Sequence, residues 1–207
     1  PGDAVWTTTD FTEMYTKLDQ EVVGQMVTKW IKLVWGFVKQ DMRDRGTDNV
    51  NNIRLVVDED GKCVHHTFTT RDNEGLSMED LIEMTSVYIR NAHFANGEEL
   101  KRQSAGIGIG CHASQQIANL FCAGIEWEFA ARLHTRIVEG ENDGKHELRN
   151  VINSLDGLKH AYRYVDDKLV RKSYAPYMPK SEEYGMTLSA AQEGSSVTFI
   201  GFRVQRN

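Results

Sequence analysis

The sequence predicts an α+β domain in which a small, mostly antiparallel sheet carries helices packed on one face. Short runs of β-forming residues alternate with long stretches whose apolar residues recur every three or four positions. The composition is ordinary for a globular domain, since 40% of the 207 residues are hydrophobic and 26% are charged. A chain of this length can bury a substantial core.

The first half of the chain contains a strand, a long helix and a hairpin. Residues 4–11 are rich in β-formers and predict a strand. A helix with apolar residues at three- and four-residue spacing is predicted over about 19–46, ending at a glycine. The runs 53–57 and 64–69 flank an acidic turn that ends in glycine, which is typical of a hairpin.

The rest of the chain is predicted to contain three helices and three strand segments. The helices cover about 77–96, 114–138 and 146–158. The strand segments cover 162–170, which is strand-like on both sides of a tight acidic turn, 186–189 and 197–204.

Charge and cysteine content restrict the function classes. The apolar runs are short, so we expect no membrane span, and no secretory leader is visible. Three cysteines at irregular spacing, Cys63, Cys111 and Cys122, predict neither a disulfide framework nor a zinc site, and we expect an intracellular protein. A net charge of −6 argues against a self-sufficient nucleic-acid binder, because such proteins usually carry a basic surface.

The most specific chemical feature is the acidic pair Asp166 and Asp167. Two adjacent carboxylates between apolar strand segments raise each other's pKa and are unfavourable without compensation. A divalent cation would supply it, since magnesium binds a few carboxylate oxygens together with substrate phosphates. A bare Asp-Asp pair is more often a solvated turn, and the flanking strand residues weaken that alternative.

A third carboxylate, Asp10, ends the first predicted strand just before a helix. By itself such an aspartate is commonly a helix cap. Two-metal phosphoryl transfer, however, needs a further carboxylate facing the acidic turn, with the metals about 3.5–4 Å apart. Asp10 is the best-placed candidate.

A glycine-rich loop at 106–110 runs into the helix that starts near Ser114. Such a loop allows close backbone approach and offers N–H groups to anions. It lacks the Lys-Ser/Thr ending of a P-loop, and alone it is a weak signal.

Together, and in this order, these elements resemble the reverse transcriptase family. Asp10 resembles the metal-binding aspartate of its motif A, and Gly110, Ser114 and Asn119 resemble motif B. The segment 164–167 is similar to its Tyr-x-Asp-Asp box.

Further segments narrow the resemblance within that family. Residues 199–201 are similar to the motif that leads into the thumb. Residues 10–16, 118–121 and 163–167 look most similar to Penelope-like retroelement enzymes, whereas telomerases, group II intron enzymes and retroviral enzymes look less similar at these positions.

The resemblance implies a polymerase palm with a ferredoxin-like core over 1–207, with the fingers and thumb largely absent. The implied activity is RNA-directed DNA polymerase, a nucleotidyltransferase that adds a dNTP to a primer 3′-hydroxyl. The implied cofactor is two magnesium ions (Mg²⁺), with manganese (Mn²⁺) as a possible substitute. The implied partners are an RNA or DNA template with its primer, and the fingers and thumb of a parent protein, without which we expect little activity.

The resemblance also implies roles for individual residues. Asp10 and Asp166 would bind both metals, with Asp167 accessory, and Phe11 would offer its backbone carbonyl. Tyr15 lies where the family places its sugar gate, although a core tyrosine is an equally simple interpretation. The nucleotide pocket would be lined by Gly110, Ser114, Gln115 and Asn119.

Three departures from the family pattern stand out. Ser114 is followed by Gln115 where proline is common, and no lysine is found near 186–193 to protonate pyrophosphate. Lys168 directly follows the acidic pair, where it would either damp the negative charge or point to solvent.

Three rival functions remain open at this point. A catalytically inactive polymerase-like scaffold or nucleic-acid binding module would keep the fold without the chemistry. An RNA-templated RNA polymerase would usually have glycine before the aspartate pair. A two-metal nuclease could use three carboxylates without a sugar gate.

Overall fold

The computed structural model describes residues 5–47, 50–57, 59–67, 75–108, 113–138 and 145–205. It is an α+β structure, as predicted. Its strands are β1 (Trp6–Asp10), β2 (Ile53–Val57), β3 (Cys63–Thr67), β4 (His93–Asn96), β5 (Glu99–Arg102), β6 (Tyr162–Tyr164), β7 (Asp167–Arg171), β8 (Gln192–Gly194), β9 (Ser196–Phe199) and β10 (Phe202–Gln205). Its helices are α1 (Met14–Lys17), α2 (Gln20–Asp44), α3 (Met78–Arg90), α4 (Ser114–Val138), α5 (Lys145–Lys159) and α6 (Ser181–Tyr184).

The chain divides into two compact units. One consists of residues 1–18 together with 108–207, and the other of residues 19–107. The assignment of the whole chain, 1–207, to one palm domain stays a prediction. Among the described residues, none of the helices combines the length and the apolar composition needed to cross a membrane.

The first unit is built on a four-stranded antiparallel sheet in the order β6-β7-β1-β8. Strand β7 is buried at three consecutive positions, so it is covered on both faces. Arg163 and Lys168 are partners across β6 and β7, and their side chains contact Glu126 of α4 and Tyr184 of α6. Helices α4 and α6 therefore cover one face of the sheet, and α5 packs against α4.

The second unit pairs two helices with two hairpins. Helix α2 packs along α3, and its N-terminus is capped by the carboxylate of Asp19. Helix α3 begins with a capping box between Ser77 and Asp80, in which each side chain bonds the other residue's backbone N–H. These local signals explain why both helix starts were predictable.

Two predictions for this unit and the C-terminus were wrong in detail. The helix after Ser77 ends at Arg90 instead of running to about 96, and a hairpin of β4 and β5 follows around Asn96-Gly97. Asn96 pairs with Glu99, so Gly97 and Glu98 form the two-residue turn, and the φ of 64° at Gly97 suits glycine at the first turn position. Strand β5 is exposed at every position, so its sequence lacks the alternation of apolar and polar residues that predicts a strand.

The C-terminal strands also differ from the prediction. Within 186–189 only Leu188 makes a bridge, to Phe11, and the strand paired with β1 is β8. The predicted strand 197–204 is a hairpin of β9 and β10 that turns at Ile200-Gly201. Ile200 has a φ of 45° and Gly201 a φ of 82°, so the chain reverses there.

Candidate functional site

The three aspartates lie at one end of the four-stranded sheet. Asp10 is the last residue of β1 and Asp167 the first residue of β7, and the two are direct partners in the antiparallel pairing. Asp166 precedes Asp167 in the turn that joins β6 to β7. The sheet register therefore brings Asp10 close to Asp166 and Asp167, although Asp10 and Asp166 are 156 positions apart in the sequence (166 − 10).

The turn that presents Asp166 has an unusual backbone. Tyr164 pairs with Asp167, so Val165 and Asp166 form a two-residue hairpin connection. Val165 has a φ of 55°. A β-branched residue is a genuine outlier in this left-handed region, because its Cβ crowds the backbone. Such a conformation costs about 1–3 kcal/mol and persists only where its surroundings enforce it.

Asn119 of α4 supplies part of that enforcement. Its Oδ1 accepts a hydrogen bond of 3.1 Å from the backbone N–H of Val165 and one of 2.7 Å from Nη1 of Arg163. Arg163 also donates to the backbone carbonyl of Asn119 at 3.1 Å and to that of Val165 at 3.4 Å. Both backbone polar groups of Val165 are thus held, and the residue is 4% exposed.

Arg163 is itself anchored by a largely buried ion pair. Its Nε lies 3.0 Å from Oε1 of Glu126, and the two side chains are only 11% and 22% exposed. The same Glu126 oxygen accepts a hydrogen bond of 3.0 Å from the hydroxyl of Tyr184. Each charged group in this network has a partner, as buried charges require.

Lys168 completes the network behind the acidic turn. It is 4% exposed, and its Nζ donates to the hydroxyl of Tyr184 at 3.3 Å. Desolvation lowers the pKa of Lys168 from 10.5 to about 8, while the charge of Glu126 acts in the opposite direction. Of the two alternatives left open for Lys168, the one in which it points to solvent is wrong, because this strand is buried on both faces.

The opposite side of the site is formed by the end of β1, by Phe11 and by Ser189. The backbone N–H of Phe11 donates to the carbonyl of Asp166 at 3.2 Å, and the Phe11 ring packs edge-on against Tyr184. The hydroxyl of Ser189 accepts from the backbone N–H of Asp10 at 2.9 Å, and the Ser189 N–H donates to the Asp10 carbonyl at 2.7 Å. The backbones of Asp10 and Asp166 are therefore both fixed.

A cleft of about 390 Å³ opens beside these backbones. Asp10 and Asp167 line it, together with residues of β9 and of the Ile200-Gly201 turn. Its volume falls within the range of small-molecule sites.

The carboxylates repel one another. Partial desolvation, then the charges of Asp166 and Asp167, raise the pKa of Asp10 above its ordinary 3.8, although the residue as a whole is exposed. Desolvation, then Asp166, also raises the pKa of Asp167. Tyr15 of α1 is half-buried, and desolvation followed by the charge of Asp166 raises the pKa of its phenol. The predicted sugar-gate tyrosine therefore lies within electrostatic range of the acidic turn.

In the part of the chain that the structure describes, no group of three or more His, Cys, Asp or Glu side chains is arranged to hold a metal ion. The donor chemistry nevertheless fits magnesium. Mg²⁺ is usually bound through one or two carboxylates, with substrate phosphates and water completing its shell. The three mutually repelling aspartates, of which Asp10 and Asp167 line the cleft, offer such carboxylates.

The predicted nucleotide-pocket residues differ in their burial and in their hydrogen-bond partners. Ser114 is 2% exposed, and its hydroxyl donates to the carbonyl of Gly108. Asn119 gives its side-chain oxygen to the acidic turn, and Gln115 is half-buried in the first turn of α4. Gly110 lies outside the described residues. The roles of these residues toward a nucleotide stay predictions.

Several residues of the site were missed by the sequence reasoning. The sequence points to Arg163 only through the resemblance of residues 163–167, and it predicts no role in the site for Glu126, Tyr184 or Ser189. The available signal for Arg163 was a charged residue between two tyrosines in the strand that precedes the acidic turn. Glu126, Tyr184 and Ser189 make contacts with residues distant in sequence, so no local sequence pattern indicates them.

No protein-family model matches the chain, and no curated protein matches it in sequence. Among solved structures, the fold is similar to that of apo telomerase from Candida tropicalis truncated from its C-terminal domain, with a TM-score of 0.52 and 13% identity. The match covers 99% of this chain but 34% of that one, so the chain spans about a third of its length. At this identity the likeness shows the fold alone. The finer likeness to Penelope-like enzymes stays a prediction.

Proposed function

We propose that this chain is the catalytic palm of a reverse transcriptase, an RNA-directed DNA polymerase that transfers a nucleotidyl group from a dNTP to a primer 3′-hydroxyl. The observation that carries the proposal is the pairing of Asp10 with Asp167 beside Asp166 at the edge of a cleft. A solvated turn would leave these carboxylates apart. Here desolvation, followed by the negative charge of Asp166, raises the pKa of both Asp10 and Asp167.

The three aspartates would hold magnesium, with manganese as a possible substitute, and the backbone carbonyl of Phe11 would add a ligand. When bound, the divalent ions lower the pKa of the attacking hydroxyl and stabilise the charge that develops on the transferred phosphoryl group. The protein's own contribution is positioning. The hydrogen bonds from Phe11 to the Asp166 carbonyl and between Ser189 and the Asp10 backbone support this role.

Tyr15 would set the choice of sugar. A half-buried aromatic ring within electrostatic range of Asp166 would clash with a 2′-hydroxyl and favour deoxynucleotides. Gly110, Ser114 and Gln115 would shape the nucleotide pocket through the loop that leads into α4, an expectation taken from the family resemblance.

The proposed partners are an RNA or DNA template with a primer, a dNTP, and fingers and thumb domains of a longer protein. The net charge of −6 supports the need for further basic surface, because phosphate contacts dominate nucleic-acid affinity. Within the family, the segment from Asp10 to Thr16 and the Arg163-Tyr164-x-Asp-Asp sequence favour a Penelope-like retroelement enzyme.

A second candidate function is a catalytically inactive polymerase-like scaffold or nucleic-acid binding module. It is favoured by one observation: among the described residues no group of three potential ligands is arranged to hold a metal ion. In that case the aspartates would remain from an ancestral site without its activity.

Primer extension distinguishes these functions. The protein that contains this chain is incubated with an RNA template, a DNA primer, dNTPs and Mg²⁺, with Asp166→Asn and, as a matched control, the exposed turn variant Asp60→Asn. The proposal predicts extension by the wild type and by Asp60→Asn, and a loss of at least about 100-fold for Asp166→Asn. Equal activity of Asp166→Asn would refute it, no extension by a folded wild type would favour the scaffold, and cleavage without extension would favour a nuclease.

A further inference from the structure

The residue that precedes Asp166 is held in a conformation it would not adopt alone. Val165 has a φ of 55°, and free valine strongly avoids this region. If Val165 relaxed to negative φ, the chain direction at Asp166 would change, since the two residues form the entire hairpin connection. The direction of the Asp166 carboxylate therefore depends on whatever holds Val165.

Asn119 and Arg163 hold Val165 from the α4 side. The Asn119 Oδ1 accepts from the Val165 N–H at 3.1 Å, and Arg163 Nη1 donates to the Val165 carbonyl at 3.4 Å. The same Asn119 oxygen accepts from Arg163 at 2.7 Å, so one atom joins helix, strand and turn. We call these two side chains the turn clamp.

Arg163, one of the two residues of the turn clamp, is fixed independently of the turn. Arg163 is oriented by its ion pair with Glu126, whose other contact is the hydroxyl of Tyr184. Tyr184 is 2% exposed, and the Arg163 and Glu126 side chains are only 11% and 22% exposed. A pre-oriented network of this kind can maintain an unfavourable backbone conformation, which a single flexible side chain could not do.

We propose that Asn119 and Arg163 are positioning residues that keep Val165 in its left-handed conformation and thereby aim Asp166 at the metal. This rests on the proposed function, because it assigns the clamp to that metal site. It also replaces the nucleotide-contact role predicted for Asn119, whose side-chain oxygen is engaged by the turn. The clamp touches no reacting atom and acts only through Asp166.

The first test is the affinity of the chain for Mn²⁺, followed by electron paramagnetic resonance. Asn119→Ala removes the shared acceptor, and the dissociation constant should rise at least about tenfold, as expected for release of a strained turn. Asn153→Ala, a half-buried asparagine of α5, is the matched control and should bind as the wild type does. Circular dichroism must show that each variant is folded.

A second variant separates positioning from general stabilisation. Glycine adopts positive φ without strain, so Val165→Gly should keep Asp166 aimed even without the clamp. In a double-mutant cycle, the effect of Asn119→Ala on Mn²⁺ affinity should fall to less than about threefold in the Val165→Gly background. An equal effect in both backgrounds would show a merely structural role and overturn the inference.

Steady-state primer extension supplies the third measurement. Asn119→Ala should lower kcat and leave KM for the dNTP within about threefold, because the clamp acts on the transition state and not on nucleotide binding. A raised KM with unchanged kcat would restore the nucleotide-contact role and overturn the inference. If the wild type binds no Mn²⁺, the proposed metal site itself fails; if the wild type binds and Asn119→Ala binds equally, only the clamp fails.

Discussion

Asp10 lies directly opposite Asp167, where β1 ends and β7 begins, so the sheet register itself brings two like charges side by side. No lysine or arginine among the described residues forms an ion pair with either of them. A functional site commonly retains such repulsion at a cost in stability, and this cost can be measured.

Asp10→Asn should therefore stabilise the chain in the absence of divalent ions. The pKa of Asp10 is raised in the folded state, so its ionisation disfavours folding. This destabilisation is absent at pH values below 3.8, the pKa of Asp10 in the unfolded chain. It is complete at pH values above the raised pKa of Asp10 in the folded chain. At pH 7.5 the midpoint of thermal unfolding should rise by about 2 °C for a chain of this size, with no difference at pH 3.

The same variant also reports on the metal. Mg²⁺ should raise the unfolding midpoint of the wild type more than that of Asp10→Asn, because bound cations remove the repulsion. Asp60→Asn, an exposed aspartate in the β2–β3 turn, should match the wild type in both conditions. A lower midpoint for Asp10→Asn at pH 7.5 would contradict the repulsion.

The ion pair of Glu126 with Arg163 should contribute far more to folding than a surface pair. Glu126→Ala leaves the Arg163 charge buried without its partner and should lower the free energy of unfolding by about 3–5 kcal/mol. The comparison is Asp41→Ala, whose partner Arg45 is 74% exposed and whose loss should cost at most about 1 kcal/mol. Urea denaturation of the three proteins measures both values, and equal losses would contradict the burial of the network.

Lys168 should make the stability depend on alkaline pH. The fall in its pKa from 10.5 to about 8 corresponds to about 3 kcal/mol of unfavourable free energy for the charged form. This penalty is complete below about pH 8 and disappears as the pH rises to the unfolded value of 10.5. The wild type should therefore gain stability relative to Lys168→Met between pH 8 and 10.5.

Lys168→Met preserves much of the side-chain volume and removes the charge. Chemical denaturation at pH 7 and at pH 10 gives the difference in unfolding free energy between the two proteins. A difference that does not change between these pH values would mean that Lys168 titrates normally.

Tyr15 should govern the discrimination between deoxy- and ribonucleotides. Tyr15→Val removes the ring and should increase ribonucleotide incorporation relative to dNTP by at least about tenfold, the effect of losing a steric contact. Tyr15→Phe retains the ring and should discriminate like the wild type. The ratio of kcat/KM values for the two nucleotides is the measurement, and similar ratios for Tyr15→Val and the wild type would identify a core tyrosine.

The elements of the fold that the sequence predicted well depend on local signals. Helix α2 follows from apolar periodicity, and the cap at Asp19 marks where α2 begins. The β6–β7 hairpin follows from strand residues on both sides of an acidic turn. The three aspartates were predicted to form one site because two-metal phosphoryl transfer needs a third carboxylate facing the acidic turn, and their role in catalysis stays a prediction.

The remainder of the site depends on contacts distant in sequence. Asn119 and Arg163 are 44 positions apart, and Glu126 and Tyr184 are 58 apart, so no local pattern connects them. The burial of Lys168 was unpredictable for a related reason, because β7 is buried at consecutive positions and shows no alternation of apolar and polar residues.

The binding of Mn²⁺ to the purified chain, followed by electron paramagnetic resonance, tests the central claim most directly. The wild type and Asp60→Asn should bind the ion with equal affinity, while Asp10→Asn and Asp166→Asn should each weaken binding by at least about tenfold. If the wild type and the triple variant Asp10→Asn, Asp166→Asn, Asp167→Asn bind Mn²⁺ equally, the three aspartates form no metal site, and the polymerase function proposed for this chain is wrong.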